Sequence, residues 1–276
     1  MNKRTGKFKS FFLPEESQRI IYTLYVSKDG TLWVGTDGGL SYFDAKTERF
    51  HTYNQQNTWL VDENGHKQKI SGYSVKAIVE DKNGDLLIGT WSSGLMRFKR
   101  KAHTMYRYPK LNATNSAYSL FFDKRHRLWV GTWGYGVVRL DNPGNVKQPG
   151  AHQYPYSANH FDTFYKIVHD PVTRTLWACT REGVCYLEED IPNAEWKEYS
   201  SIGNNPLNFN NDIATDGQGN IWLCTQNNGI LQVNTQPSMF KLWNLDKSHT
   251  QLTINYIYSI QTTDGENFWL WMSFVH

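Results

Sequence analysis

Asp29-Gly30-Thr31-Leu32-Trp33-Val34-Gly35-Thr36-Asp37-Gly38-Gly39-Leu40-Ser41-Tyr42-Phe43-Asp44, followed by Thr47-Glu48-Arg49-Phe50-His51-Thr52-Tyr53, is the stretch whose reading decides the fold. Asp29-Gly30 supplies the positive φ of a tight hairpin. Leu32 to Thr36 reads as a short strand, Gly39 to Phe43 as a second and Phe50 to Tyr53 as a third. Before the turn, Ile21-Tyr22-Thr23-Leu24-Tyr25-Val26 alternates as a further strand. Four short strands separated by tight turns make one antiparallel sheet.

The same unit recurs. Near-copies of Leu32-Trp33-Val34-Gly35-Thr36 stand at Leu87-Ile88-Gly89-Thr90, Trp129-Val130-Gly131-Thr132, Trp177-Ala178-Cys179-Thr180 and Trp222-Leu223-Cys224-Thr225, and a sixth begins at Trp269-Leu270. Taking the threonine as marker, the steps are 54, 42, 48 and 45 residues. A Gly-aliphatic pair follows each marker: Gly39-Leu40, Gly94-Leu95, Gly136-Val137, Gly183-Val184 and Gly229-Ile230. A bulky residue with an aromatic three positions on closes most units, as in Phe50 and Tyr53, with only Tyr154 in the third. One such sheet cannot bury both faces alone, and stacking sheets around an axis buries them. The expected fold is therefore all-β: a β-propeller of four-stranded antiparallel blades (strands a to d). Blades are expected at about 20–53, 73–108, 117–155, 163–199 and 209–243, with a partial one at 255–276 and an outer strand at 5–12. The strand-b Trp is expected to act as a flat spacer between blades. The Gly or Cys two residues later is expected to leave room for the neighbouring sheet.

Bulk composition agrees. The chain has 276 residues, 39% hydrophobic and 15% aromatic, enough to build a core. Its net charge of +3 comes from 29 basic and 26 acidic residues with no long basic run, which argues against nucleic acid as partner. No stretch approaches the ~20 apolar residues of a membrane helix, so no direct membrane insertion is expected. Met1-Asn2-Lys3-Arg4 lacks the apolar core of a signal peptide. Of three cysteines, Cys179 and Cys185 flank a tight turn and could face each other across a hairpin. The other reading makes all three small apolar fillers.

The ends are expected to cut the pattern. Thr5 to Phe11 matches Thr47 to Tyr53, and the last unit drifts off pattern after Trp271. Either the first strand closes the last blade, or the chain is a fragment of a longer propeller; the exposed edge that closure would leave favours the fragment.

The pattern D-G-x-[LI]-W-[VL]-G-T-x-x-G-[LI]-x-x-[FL]-[DN], then T-x-x-F-x-x-Y, resembles the two-component regulator propeller repeat. Asp29 to Tyr53 match it closely, and the units at 83–108 and 123–141 match well; those at 170–199 and 216–243 depart at Cys179 and Cys224, where the family has Gly. The resemblance implies seven-bladed propellers in the extracytoplasmic, periplasmic sensor half of bacterial hybrid histidine kinases. It further implies oligosaccharide ligands and a neighbouring propeller or immunoglobulin-like domain.

A ligand would meet the loops between strands b and c: Asp37-Gly38, Trp91-Ser92-Ser93, Trp133-Gly134-Tyr135, Arg181-Glu182 and Gln226-Asn227-Asn228. Flat aromatics, amides and charges suit sugars, which present apolar C–H faces beside hydroxyls. The candidate ligand-binding residues are Asp37, Trp91, Trp133, Tyr135, Arg181, Gln226 and Asn228; the plainer reading makes the tryptophans caps on their neighbours. The span from strand-d aromatic to the next strand b is 34 residues after Tyr53, against 21 to 26 elsewhere. That insertion, about 54–71, adds Trp59 as a candidate, either on a lid over the same face or on a tolerated insertion. No catalytic, metal-binding or cofactor residues are expected. His160 and His169 are the only histidines expected near the axis. The leading expectation is a non-catalytic ligand sensor, with a homodimer possible. The alternatives are a propeller lyase or hydrolase acting on polysaccharide fragments, and a structural scaffold.

Overall fold

The computed structural model describes residues 6, 8–13, 20–54, 56–62, 64–70, 73–111, 115–154, 163–181, 183–189, 194–202, 205–207, 210–226, 229–235, 241–243, 254–262 and 268–274. Two compact units share the chain, one holding Met1–Leu111 with Asn115–Ala117, the other Asn112–Thr114 with Tyr118–His276.

The first unit contains two blades. Blade 1 runs β1 (Ile21–Val26), β2 (Leu32–Thr36), β3 (Gly39–Asp44) and β4 (Arg49–Tyr53), paired in that order. The insertion forms a hairpin of β5 (Trp59–Val61) and β6 (Lys67–Lys69). Blade 2 runs β7 (Val75–Glu80), β8 (Leu86–Thr90), β9 (Leu95–Lys99) and β10 (Thr104–Arg107). The second unit contains blade 3, with β11 (Ser119–Phe122), β12 (Leu128–Gly131), β13 (Val137–Leu140) and β14 (Ala151–Tyr154). Blade 4 follows as β15 (Phe164–Asp170), β16 (Thr175–Thr180), β17 (Val184–Glu188) and β18 (Lys197–Tyr199). After a short hairpin, β19 (Ser201–Ile202) with β20 (Asn205–Pro206), blade 5 runs β21 (Asn210–Thr215), β22 (Asn220–Thr225), β23 (Ile230–Asn234) and β24 (Lys241–Trp243). A last pair, β25 (Ile254–Thr262) and β26 (Phe268–Phe274), begins a further blade. Successive first strands neighbour one another, β1 with β7 in the first unit and β11, β15, β21 and β25 in series in the second, as propeller blades require.

The repeat residues explain the blade. Each marker threonine is buried and turns its hydroxyl onto the carbonyl of the glycine that opens strand c: Thr36 to Gly39 at 3.1 Å, Thr90 to Gly94 at 2.7 Å, Thr132 to Gly136 at 2.8 Å, Thr180 to Gly183 at 3.1 Å and Thr225 to Gly229 at 2.9 Å. The hydroxyl thus closes the b–c hairpin in every blade. Trp33, Trp129 and Trp177 are buried; Trp33 and Trp129 donate their indole N–H to Ser27 and Asp123 of the preceding a–b turn, and Trp177 donates to Thr175, the first residue of its own strand. Their rings pack on the strand-d tyrosines Tyr53, Tyr154 and Tyr199, with centroids 6.1, 5.1 and 6.4 Å apart. The expected room at glycine is present. A Cβ on Gly35 would stand 2.6 Å from Val75 Cγ1, one on Gly89 2.6 Å from the Ala117 carbonyl oxygen, and one on Gly131 2.9 Å from the Phe164 carbonyl oxygen. Gly35 meets the first strand of blade 2, Gly89 the Ala117 segment of its own unit, and Gly131 the first strand of blade 4.

Two alternatives left open by the sequence resolve, and one expectation needs correction. The insertion is no lid: β5 pairs in parallel with β10, so the hairpin widens blade 2 to six strands at its outer edge, in the order β6-β5-β10-β9-β8-β7. Its outermost strand, Lys67-Gln68-Lys69, is exposed throughout, and lysines on an edge discourage further pairing. The cysteines do not face each other. Tight closure of Thr180 on Gly183 sets Cys179 opposite Val184 and Cys185 opposite Ala178, which sends the thiols to opposite faces. All three cysteines are buried and free. Finally, residues 8–13 carry no strand; Phe11 packs edge-on against Phe43 at 4.8 Å and Lys9 pairs with Glu48 at 2.6 Å.

Candidate ligand-binding surface

The residue after each marker threonine sits at the b–c turn, and the first strand of the blade delivers a second residue to the same end. A β-bulge causes this. Ile21 pairs with Thr36 and Thr23 with Gly35, leaving Tyr22 between them; Val75 with Thr90 and Ala77 with Gly89 leave Lys76; Phe164 with Thr180 and Lys166 with Cys179 leave Tyr165. Asn211 is left in the same way in blade 5. Bulges re-aim a side chain out of the alternation.

In the first unit this brings Tyr22, Lys76, Trp91 and Asp37 together. The Lys76 Nζ lies 3.0 Å from the Tyr22 ring centroid and 5.3 Å from that of Trp91. Both rings keep an exposed face, at 40% and 41%. The Trp91 amide donates to the Ser74 carbonyl at 3.1 Å and the Asp37 amide to that of Ile20 at 3.3 Å, so each b–c turn is tied to the approach of a first strand. The Asp37 Oδ1 is buried and has no hydrogen-bond partner. Burial pushes the Lys76 ammonium down from 10.5 to about 8, opposed by the negative charge of Asp37. A lysine lowered in this way withholds stability while protonated, so its contribution to folding improves as pH rises from about 8 to 10.5. By NMR of the methylated amine, Lys76 is expected to titrate near 8, and Asp37→Asn to lower that midpoint further; a midpoint near 10.5 in both proteins contradicts the described environment.

In the second unit the corresponding turn of blade 3 places Trp133 beside Tyr118, the residue just before β11, with ring centroids 5.7 Å apart. Tyr118 in turn meets Tyr165 edge-on at 5.9 Å. Tyr135 is 44% exposed on the same turn. Arg181 is exposed at the β16–β17 turn and Gln226 half-buried at the β22–β23 turn, while Asn228 lies outside the described residues.

Trp59 is separate from these groups. It lies on β5 at the outer edge of blade 2, where the Lys67 and Lys69 ammonium groups sit 4.7 and 4.0 Å from its ring. Nor does His169 reach the b–c turns: it stands at the far end of β15, opposite Leu176, with its Nε2 3.2 Å from Glu189. His160 lies outside the described residues. Tyr22, Lys76, Tyr118 and Tyr165 were absent from the candidates read from the sequence. Their signal is positional: each precedes by one the residue paired with the strand-b Gly or Cys.

The model of the family described as two component regulator propeller matches residues 15–38, 69–92 and 113–134. No curated protein matches the chain in sequence. Among solved structures, the extracellular domain of the hybrid two component system BT3049 from B. thetaiotaomicron superposes with a TM-score of 0.69 at 15% identity, covering 96% of this chain. Virginiamycin B lyase from Staphylococcus aureus, with quinupristin, gives 0.71 at 14% identity, covering 98% of this chain and 83% of its own. PorZ of Porphyromonas gingivalis, a surface component of the type-IX secretion system, gives 0.62 at 18% identity, covering 88% of this chain and 36% of its own. The chain spans 34% of the BT3049 extracellular domain. At such identities the likeness is one of fold. With the matched repeats and the blade architecture together, the fold is the β-propeller, and the chain carries two-component regulator propeller repeats.

Proposed function

We propose that this chain is a ligand-sensing propeller module of a bacterial two-component signalling protein, that it works outside the cytoplasm, and that it binds oligosaccharide without catalysing a reaction. The observation that carries the reading is the recurrence of a tryptophan directly after the marker threonine, exposed Trp91 in blade 2 and half-buried Trp133 in blade 3; Trp91 shares the Lys76 ammonium with Tyr22, and Trp133 lies beside Tyr118, the residue before β11. An aromatic face with polar groups at its rim matches a sugar ring, whose C–H side stacks and whose hydroxyls bond. The neighbouring propeller or immunoglobulin-like domain, and a dimer, enter as the parts that would read the bound state. Among the described residues no helix is long and apolar enough to cross a membrane.

Thermal shift against a glycan panel tests the reading. At a glycan concentration about 100 times Kd, binding adds roughly 2.7 kcal/mol to stability, several degrees for a chain of this size. At least one glycan is expected to raise Tm, and Trp91→Ala or Trp133→Ala to abolish the shift. A panel without any shift, or a shift unchanged in both variants, contradicts it.

A further inference from the structure

The hairpin that widens blade 2 is not needed to complete a blade. Blades 1, 3, 4 and 5 have four strands each, and blade 2 alone has six. Long insertions in a compact domain are commonly functional. On its inner side β6 pairs with β5, which sets Lys69 opposite Trp59, Gln68 opposite Leu60 and Lys67 opposite Val61. Among the described residues no strand pairs with its outer side. That edge offers backbone N–H and C=O groups to a further strand.

The side chains along the edge restrict what can pair there. The register places Lys67 and Lys69 on the face of Val61 and Trp59, opposite to buried Leu60. Their Nζ atoms lie 4.7 and 4.0 Å from the centroid of the Trp59 ring, which is 37% exposed. Across β10 the same face continues through Thr104 and Tyr106, and the Lys99 Nζ lies 4.9 Å from the Tyr106 ring. Lys69 also donates to the Gln56 carbonyl at 3.3 Å. Among the described residues no carboxylate pairs with Lys67, Lys69 or Lys99. Asp62, at the hairpin turn, is held by the amides of Asn64 and His66 at 3.0 and 2.8 Å and by the His66 ring at 3.1 Å. The face therefore carries three positive charges that no described carboxylate answers.

We propose that β6 is a docking edge for an extended acidic segment of a partner protein, which joins the blade 2 sheet as a further strand. Carboxylates at alternate positions of that segment stand opposite Lys67 and Lys69, on the Trp59 face. A second copy of this edge would set lysine against lysine, which is unfavourable across strands. The same two lysines favour a segment with acidic residues at every second position, so they reject one partner and select another. Main-chain hydrogen bonds supply affinity and the side chains supply the choice, as in other strand additions. The inference does not rest on sugar binding at the b–c turns.

Fluorescence anisotropy tests this with a labelled octapeptide that alternates glutamate with valine, added to the 276-residue chain. The expected result is saturable binding that weakens as salt rises and is absent when lysine replaces glutamate in the peptide. Lys67→Glu/Lys69→Glu is expected to weaken binding about tenfold, with Tm unchanged because both side chains are exposed. Lys67→Gln/Lys69→Gln, which removes the charges without reversing them, is expected to fall between that variant and wild type. The glutamate peptide methylated on its backbone nitrogens keeps its charge but cannot donate to β6, and is expected not to bind. Equal binding of the methylated peptide reduces the surface to charge attraction and overturns the strand addition. Binding unchanged in both double variants, equal binding of the lysine peptide, or no binding of the glutamate peptide overturns the docking edge itself.

Discussion

Asp212→Ala is expected to destabilise the second unit by about 2–6 kcal/mol, roughly 1–3 kcal/mol for each of the two buried amides that it leaves without an acceptor. The carboxylate is 4% exposed and satisfies four donors. Its Oδ1 accepts from the Lys166 Nζ at 2.6 Å and the Ile213 amide at 2.8 Å; its Oδ2 accepts from the Ser259 hydroxyl at 2.5 Å and the Ile260 amide at 2.7 Å. One side chain therefore ties together β15, β21 and β25, the first strands of three successive sheets. Alanine strands two amides and an ammonium at once. Lys166→Met is expected to cost less, because the carboxylate keeps three donors and the lysine is already 39% exposed. The double variant is expected to cost less than the sum of the two. The attraction of Asp212 holds the Lys166 ammonium above its ordinary 10.5 against burial, so its contribution is complete below that pH and fades as pH rises above it. Urea denaturation of the three variants measures these differences. A neutral Asp212→Ala contradicts the tie.

Gly89→Ala is expected to cost about 1–3 kcal/mol, the usual penalty of overpacking. Its Cβ would lie 2.6 Å from the Ala117 carbonyl oxygen, a backbone atom held by its own chain. The adjacent Ala117 amide is engaged by the Thr90 carbonyl at 2.9 Å, so the segment cannot retreat without breaking that bond. Blades 4 and 5 carry Cys179 and Cys224 at the same position, both fully buried. There the paired residue of the first strand is Lys166 or Asp212, where Gly35, Gly89 and Gly131 face Thr23, Ala77 and Ser119. The expected contrast is that Cys224→Gly leaves a void, a loss, at the position where Gly89→Ala overfills, also a loss. Thermal melts of both variants read it, and a stabilised Gly89→Ala would contradict the close approach.

The blades were legible because their causes are local. A turn dipeptide, two-residue alternation and the marker threonine act within about ten residues of one another, and the register at Thr36 and Gly39 follows from them. What was not legible depends on contacts remote in sequence or on a single residue of register. Simple alternation sends Tyr22 to one face and Thr23 to the other, and only the bulge returns Tyr22 and Lys76 to the b–c end. The insertion gave no sign that β5 would join β10, a parallel pairing across more than 40 residues of chain, so Trp59 was grouped with residues that it does not accompany. Cys179 and Cys185 missed each other by one position, the margin by which a hairpin register reverses a face. Asp37, Trp91 and Trp133 were found by their place after the marker; their companions needed the first strand's pairing.

The most direct test of the account is where a bound glycan sits. Intermolecular NOEs measured on the chain with labelled aromatic residues are predicted to connect the sugar C–H protons to the rings of Tyr22 and Trp91. NOEs to Trp59 alone, on the outer edge of blade 2, would contradict it.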